Sequence, residues 1–282
     1  MRNPYRTQKI AFFFLLLSTL LIVVPVGLIV VIIIQKGLPA INWQFLSEVP
    51  QQGMRAGGIF PAIVGTFYLV SGAILFALPI GLLAAVYLTE YAKDNLLTRI
   101  IKLAIVNLAG VPSVVYGLFG FALFVVFFKF GASILSGSLT LGIMILPVII
   151  TTSVEALESV PASFREVSLS LGVSKWQTIR NIVLPNAVPG ILTGTILGLG
   201  RAAGETAPIL FTVAAFYLPQ LPGSIFDQAM ALPYHLYVIS TQVPNVDEKV
   251  RYGTAFVLLA LVLSMNLVAI VIRSKFRKKK KW

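Results

Sequence analysis

Long runs of apolar residues without charges are the feature that most constrains how this chain folds. The first run extends from Ile10 to Ile34, and several more follow along the 282 residues. About 20 apolar residues in a helix are enough to cross the ~30 Å hydrocarbon core of a bilayer. The chain is 57% hydrophobic and only 11% charged, so its expected solvent is lipid rather than water. The sequence therefore predicts an all-α, polytopic membrane protein.

About six membrane-spanning helices are expected within a single transmembrane domain, residues 1–282. They are placed near residues 10–34, 61–88, 103–128, 138–156, 187–212 and 253–272. The first run is too long for a signal peptide, and no small-residue cleavage site closes it, so we expect it to be retained. Residues 211–226 are also apolar, but Pro219, Pro222 and Gly223 interrupt them, which favours an external or re-entrant loop.

Proline recurs within these spans, at Pro25, Pro79, Pro112 and Pro147. Each proline lacks the backbone donor of a regular helix and therefore favours a kink. We expect the kinks to shape the bundle rather than to gate it, because neighbouring helices can satisfy the freed carbonyls.

The positions of the basic residues predict how the helices are oriented. With six spans, 16 of the 22 Lys and Arg residues fall on one side, and Arg201 is the one that lies inside a span. Lys and Arg accumulate on the cytoplasmic side of membrane proteins, so we expect both termini in the cytoplasm. The basic tail after residue 272 is expected to anchor this topology by attraction to anionic lipids.

Several classes of function are disfavoured by the composition. There are no cysteines, which removes disulfides, thiolate zinc sites and thiol nucleophiles. The net charge of +12 is clustered at the ends of apolar runs, so nucleic-acid binding is not expected. His235 is the only histidine and has no companion ligands, so we interpret it as loop packing rather than a metal site. No nucleophile–base pair occurs within the spans, and we expect neither catalysis nor a bound cofactor.

Residues 155–185 form the most informative polar stretch, and we expect them to be a cytoplasmic loop that holds two short helices. Ser163 and Glu166 have the spacing of a capping box, which predicts a first helix that starts at Phe164. Gly172 is placed to end that helix in a left-handed conformation.

The second helix of this loop shows matching signals. Ser174 and Gln177 repeat the spacing of a capping box, and Pro185 is expected to end the helix. Each helix also carries an apolar stripe. The stripes consist of Phe164, Val167 and Leu171 in the first helix and Trp176, Ile179 and Val183 in the second.

The loop resembles the EAA loop of ABC-importer permeases. The resemblance lies in Glu166-Val167-Ser168, then Gly172, then Ile182-Val183-Leu184-Pro185, although the family's consensus alanines are Val167 and Ser168 here. In that family the loop forms a coupling helix that sits in a groove of a separate ATPase subunit. The resemblance implies ATPase coupling by Phe164, Glu166, Ser168, Gly172, Trp176, Ile182, Leu184 and Pro185. From the stripes alone, a loop that lies on the membrane interface is an equally good interpretation.

A charged pair lies inside the fifth predicted span. Arg201 and Glu205 are four residues apart, which places them on one face of a helix, and either charge would be costly in contact with lipid. The planar donors of a guanidinium match oxyanions such as phosphate, so Arg201 is a candidate anion contact. The alternative is a neutralised pair that holds two helices together. Gly200 and Gly204 would allow another helix or a substrate to approach closely.

Residues 200–212, GRAAGETAPILFT, resemble the signature of PstA-type permeases of the phosphate ABC importer. Two earlier stretches agree with that family, residues 57–66 and residues 111–117. The resemblance implies the type I ABC-importer permease fold. It also implies a substrate path, for which the candidate residues are Arg201, Glu205, Thr206, Ser113 and Thr66.

The same resemblance implies a set of partners. They are a related PstC-type permease, a dimer of PstB-type ATPases that uses ATP and Mg²⁺, and a periplasmic or lipid-anchored phosphate-binding protein, all at the bacterial cytoplasmic membrane. The chain has no G-x-x-x-x-G-K-[ST] motif, so hydrolysis is expected on another subunit. Two alternatives remain open at the level of sequence: a permease for sulfate, molybdate or phosphonate, and a stand-alone secondary transporter or channel.

Overall fold

The structure, a computed structural model, describes residues 4–278 and is almost entirely helical. A short antiparallel hairpin, β1 (Pro50–Gln51) and β2 (Ala56–Gly57), pairs Pro50 with Gly57. The helices are α1 (Pro4–Gly37), α2 (Trp43–Ser47), α3 (Phe60–Val86), α4 (Leu96–Ala109), α5 (Ser113–Gly120), α6 (Ile134–Glu158), α7 (Ala162–Ser170), α8 (Lys175–Thr178), α9 (Leu184–Gly204), α10 (Ala207–Thr212), α11 (Leu232–Thr241) and α12 (Glu248–Lys278). Three π-helical turns continue these helices. One extends α3 (Tyr87–Tyr91), one extends α5 (Phe121–Phe127), and one joins α8 to α9 (Ile179–Val183).

Within residues 4–278, five helical stretches are long and apolar enough to cross a membrane. They are Ala11–Ala40, Phe60–Tyr91, Ile134–Glu158, Lys175–Gly204 and Glu248–Arg277. A sixth crossing results if Leu96–Ala109 and Ser113–Phe127 are counted as one broken span. The predicted all-α, polytopic membrane fold is confirmed.

The third predicted span, residues 103–128, is not one helix. It is divided between α4 and α5, whose axes meet at 103°. Pro112 has extended backbone angles (φ −58°, ψ 141°) immediately before α5 begins, and Tyr116 Oη donates to the Leu108 carbonyl 2.7 Å away across the bend. Proline therefore does more than kink this helix, since it separates two helices that run in different directions. Pro25, Pro79 and Pro147 lie inside continuous helices.

The fifth predicted span, residues 187–212, also differs from the structure. The helix begins much earlier, at Lys175, and ends at Gly204, where Glu205 has extended backbone angles before the short α10. Pro185 was expected to end the loop helix, and this expectation is wrong. The π-helical turn before it lets Leu184 N–H bond to the Ile179 carbonyl five residues back, so the helix passes Pro185 without stopping.

The core is built around α6, which packs against α3 on one side and α9 on another. Small residues make these approaches close: a Cβ on Gly194 of α9 would overlap the Thr152 hydroxyl of α6, and one on Gly81 of α3 would lie 2.7 Å from Ile149 Cγ2. Close backbone approach through small residues is the usual way for membrane helices to pack. α12 covers α9, and α1 lies outside α12.

Two separate apolar clusters hold the bundle together. The larger joins the middle of α3 and α6 to α10 and α11. The smaller lies at the end of the bundle that carries the 155–185 segment. It consists of Ala85, Val86, Ala156, Leu157, Val160, Ile179, Val183, Ala187 and Ile191.

The predicted interrupted loop after residue 211 has little regular structure. α10 ends at Thr212, and a single bridge between Ala214 and Ala229 precedes α11. His235 lies in α11 and is 2% exposed, as expected for a packing residue, and its Nδ1 has no hydrogen-bond partner among the described residues.

Candidate functional site

The first helix of the 155–185 segment, α7, begins two residues earlier than the sequence predicts. It starts at Ala162 after Pro161, and no side chain caps it, so the predicted box of Ser163 and Glu166 is wrong. Pro161 is the residue before the helix, and its φ of −54° and ψ of 137° place it outside the helix and set the direction in which α7 begins. The predicted glycine turn after this helix is confirmed. Gly172 has φ +79°, a conformation that glycine adopts without strain, and reverses the chain after α7.

The predicted capping box of α8 is also confirmed. Ser174 Oγ accepts from Gln177 N–H at 3.3 Å, and Gln177 Oε1 accepts from Ser174 N–H at 3.2 Å. The two short helices are joined by a buried hydrogen bond of 2.8 Å between Ser168 Oγ and Thr178 Oγ1. α7, the turn and α8 therefore form one small unit.

This unit presents apolar side chains to the outside of the chain. Leu171 is 77% exposed, Val167 60% and Trp176 51%, whereas Phe164 packs against the smaller apolar cluster. The second predicted stripe is divided, because Ile179 and Val183 are buried in that cluster and only Trp176 faces outward. We call Val167, Leu169, Leu171 and Trp176 the exposed apolar surface of the 155–185 segment.

The other predicted coupling residues surround this surface or lie beneath it. Ser168 is buried, Gly172 and Pro185 are exposed, and Ile182 and Leu184 are half-buried where the π-helical turn meets α9. Glu166 is exposed on α7 and makes no ion pair within residues 4–278.

Sequence reasoning missed the residue that fixes α7 to the bundle, which is Glu90. Arg165 Nη2 lies 2.7 Å from Glu90 Oε1, and the two side chains are only 21% and 7% exposed. The same guanidinium donates to the carbonyls of Leu157 at 2.9 Å and Val160 at 2.8 Å. Glu90 lies in the π-helical turn at the end of α3, so one arginine joins α7 to both α3 and α6. The sequence signal that could have identified Glu90 is an acidic residue at the end of an apolar run.

The predicted charge pair in α9 is formed, with a different backbone from the one expected. Arg201 Nε lies 3.6 Å from Glu205 Oε1, and both side chains are partly buried. Glu205 follows the last helical residue, Gly204, and has φ −76° and ψ 137°. The pair therefore spans the break between α9 and α10 rather than one helical face.

The three other path candidates, Thr206, Thr66 and Ser113, lie on different elements that meet near that break. Thr206 is the residue before α10, and its side chain caps no backbone donor. Glu205 and Thr66 line one small cavity of about 10 Å³ together with residues of α6 and α11. Ser113 begins α5, which packs on α10 where Gly117 meets Ala207 and Pro208. The structure thus gathers the helices that carry all five candidates around the 205–206 break.

Thr66 also has a structural contact of its own. Its buried hydroxyl donates to the Ala62 carbonyl at 2.7 Å and accepts from Leu232 N–H at 2.8 Å. The second bond fastens the start of α11 to α3 and satisfies a backbone donor that has no partner within its own helix.

A single helix connects the exposed apolar surface with the charge pair. Trp176 lies near the beginning of the continuous stretch Lys175–Gly204, and Arg201 lies in its last turn. At ~1.5 Å per residue the two are about 38 Å apart along the axis. The same helical stretch therefore joins the 155–185 segment to the break that carries Glu205.

Residues 77–282 match the family described as binding-protein-dependent transport system inner membrane component. The chain belongs to this family. Its membership agrees with the multi-pass helical fold and with the resemblance in the 155–185 segment, and it confirms the expectation of an ABC-importer permease.

Two relatives and one solved structure illustrate the similarity. The chain is 36% identical over 258 residues to the probable ABC transporter permease protein YqgI of Bacillus subtilis, covering 86% of this chain and 87% of that protein. It is 38% identical over 219 residues to the phosphate transport system permease protein PstA 1 of Mycobacterium tuberculosis, covering 77% and 71%. The fold is similar to that of a bacterial ABC transporter involved in alginate import, with TM-score 0.63, 13% identity and coverage of 95% and 96%.

Proposed function

We propose that this chain is a transmembrane permease subunit of an ATP-driven importer of inorganic phosphate. The observation that carries the proposal is the 38% identity to a phosphate transport permease over 77% of the chain. The geometry supports it, because an arginine and a glutamate lie together at a helix break inside a membrane protein. Charges within spans usually mark the path of a substrate or ion.

The exposed apolar surface of the 155–185 segment is the proposed docking site for a separate ATPase. Val167, Leu171 and Trp176 project from a unit that the Arg165–Glu90 pair holds against the bundle. Aromatic and aliphatic side chains of this kind bury well in a groove on a partner. ATP and Mg²⁺ are used by that ATPase, proposed as a PstB-type dimer, and this chain binds no cofactor and performs no catalysis.

Transport is proposed to follow from the way the segment is fastened to the bundle. When the ATPase subunits move, α7 pulls on α3 through Glu90, while α8 moves α9 through the continuous helix. The smaller apolar cluster carries the same displacement to α6. These helices meet around the 205–206 break, so movement at the docking surface changes access to Arg201.

Arg201 is proposed to contact the anion during passage. A guanidinium offers several donors in a plane, which suits the oxygens of phosphate. Its bond to Glu205 is long, at 3.6 Å, and both groups are partly exposed, so an anion can compete for the guanidinium. Glu205 then holds the arginine in place and limits how tightly a second negative group is bound.

The complete transporter is proposed to contain a PstC-type permease beside this chain and a phosphate-binding protein on the outer side. Membrane lipids surround the bundle, and no nucleic acid is involved. We place the chain in the bacterial cytoplasmic membrane with both termini in the cytoplasm, because the basic residues concentrate on that side.

Competition during uptake tests the substrate. Cells that depend on this permease are given labelled phosphate with an excess of sulfate, molybdate or phosphonate. Little competition is expected from any of them, and strong competition by one would assign the permease to that oxyanion. Arg201→Ala is expected to reduce uptake at least tenfold while the chain remains inserted and assembled. Arg180 is an exposed arginine at the other end of the same helix, and Arg180→Ala is expected to leave substrate selectivity unchanged.

A further inference from the structure

A groove of about 550 Å³ lies between α1, α11 and α12, far from the 155–185 segment. Its walls are apolar and come from three helices. They consist of Ile29, Ile32 and Ile33 of α1, Leu236 of α11 and Ala255 of α12. The volume lies within the range of about 300–1,000 Å³ that is usual for sites that bind small molecules.

The opening of this groove is polar and carries an arginine. Arg251 lines it together with Ser240 and Tyr252. Arg251 Nη2 donates to the Val246 carbonyl at 2.7 Å, but its Nε is buried and has no hydrogen-bond partner among residues 4–278. A buried donor without a partner is costly. Nε itself is enclosed, so a group in the groove meets Arg251 through the part of its side chain that lines the opening. The arginine is therefore poised for an additional anionic or polar group.

The other charges at the opening largely cancel. Glu248 also lines the groove, and its Oε2 lies 3.4 Å from Lys36 Nζ. Lys36 Nζ in turn lies 4.7 Å from the centre of the Tyr252 ring. Because Lys36 compensates Glu248, Arg251 gives the opening a net positive charge.

The groove lies at the level where hydrocarbon meets headgroups. Lys36 and Tyr252 mark that level, since Lys and Tyr favour the ends of membrane-spanning helices. Ile29 is seven residues before Lys36, which places it ~10 Å deeper along α1. An occupant thus meets apolar walls at depth and an arginine at the surface.

We propose that this groove binds a phospholipid with a net negative headgroup, such as phosphatidylglycerol, with one acyl chain along the isoleucines of α1 and the phosphodiester at Arg251. The phosphate oxygens accept from the guanidinium, and the acyl chain covers the apolar walls. A free phosphate ion satisfies only the first of these contacts and leaves the walls uncovered. The lipid would join the peripheral helix α1 to the rest of the bundle, and this role is independent of the transported substrate.

Native mass spectrometry of the full-length chain in mild detergent tests the proposal. The protein is titrated with phosphatidylglycerol, and in a separate arm inorganic phosphate is added in excess. Arg251→Ala is expected to weaken lipid binding roughly tenfold or more, and Arg251→Lys to retain most of it. Ala255→Phe fills the groove and should abolish binding without removing any charge. Arg55→Ala is the matched control, because Arg55 is an exposed arginine outside the groove whose Nε donates to the Pro244 carbonyl, seven residues before Arg251.

The outcomes separate the lipid from other occupants. The proposal is supported if one phosphatidylglycerol is retained by the wild type and Arg55→Ala, is lost in Ala255→Phe, and is not displaced by phosphate. Equal binding by the wild type and both groove variants overturns it, as does displacement by inorganic phosphate. A photo-crosslinking residue at Ile33 that captures a protein subunit in place of lipid also overturns it.

Discussion

Arg165 and Glu90 form a short ion pair of 2.7 Å between a small outer helix and the end of a membrane-spanning helix. The pair is mostly shielded from water, and the arginine also satisfies two carbonyls at the end of α6. We expect Glu90→Gln and Arg165→Gln each to destabilise the protein by about 3 kcal/mol, because each leaves a buried charge unpaired. The double variant should lose less stability than the sum of the losses in the two single variants. Thermal unfolding in detergent measures this double-mutant cycle, and additive losses would show that the two side chains are not coupled.

The turn at Gly172 provides a test that separates backbone conformation from bulk. No atom lies within 4 Å of a Cβ added there, so a substitution is limited by φ +79° and not by space within the chain. Gly172→Asn should retain association with the ATPase, because asparagine tolerates a left-handed conformation. Gly172→Val should destabilise the turn by about 1–2 kcal/mol and thereby weaken the association. Gly172→Trp adds bulk at the docking surface and should abolish co-purification of the ATPase. Retained association in Gly172→Trp would contradict the docking role.

The local signals in the 155–185 segment could be predicted because they depend on neighbours in the chain. Gly172 and the box of Ser174 and Gln177 require only the backbone of one turn. The contact of Arg165 with Glu90 joins residues 75 positions apart, and no local pattern reports it. The stripes identified the apolar positions, but not that Phe164, Ile179 and Val183 pack on the core while Leu171 and Trp176 face outward.

The positions of the membrane spans could be predicted from the sequence, but their ends and bends could not. Hydropathy located the apolar runs, but it did not show that residues 103–128 bend by 103° or that the helical stretch ending at Gly204 starts at Lys175. Proline has opposite outcomes at these two places. Pro112 separates two helices, while Pro185 is accommodated by a π-helical turn. The sequence around each proline does not indicate whether the neighbouring backbone can widen to pass it.

Thr66 is a path candidate whose structural contact can be tested separately. Thr66→Val removes the acceptor of the Leu232 N–H and should cost about 1–3 kcal/mol, because a buried donor is left unsatisfied. Thr66→Ser retains the hydroxyl and serves as the control. Unfolding midpoints report stability, and uptake of labelled phosphate reports transport. A loss of uptake in both variants at unchanged stability would assign Thr66 to the path instead.

His235 predicts a dependence of stability on pH. It lies in α11, outside the candidate spans, and burial lowers its pKa from 6.5 to about 4. Well above pH 6.5 the imidazole is neutral in both the folded and the unfolded chain, and it contributes no dependence of stability on pH. As pH falls below 6.5 the unfolded chain gains a proton that the folded chain does not, so stability decreases until about pH 4.

The predicted loss from His235 is about 2 kcal/mol at pH 5. Melting temperatures in detergent at pH 7 and pH 5 measure it. The variant His235→Phe, which cannot take up a proton, should show a smaller decrease than the wild type over this range. An equal decrease in both proteins would assign the dependence to other groups.

On the proposed mechanism, this chain moves phosphate only when a separate ATPase drives it through the 155–185 segment. The most direct measurement is uptake of labelled phosphate by proteoliposomes that contain this chain, its partner permease and the ATPase, with binding protein outside and ATP inside. Uptake is expected to require ATP and the ATPase, and to be lost in Gly172→Trp although the protein is inserted. Phosphate uptake that continues without ATP or the ATPase, driven by an ion gradient alone, would contradict ATP-driven transport through the 155–185 segment.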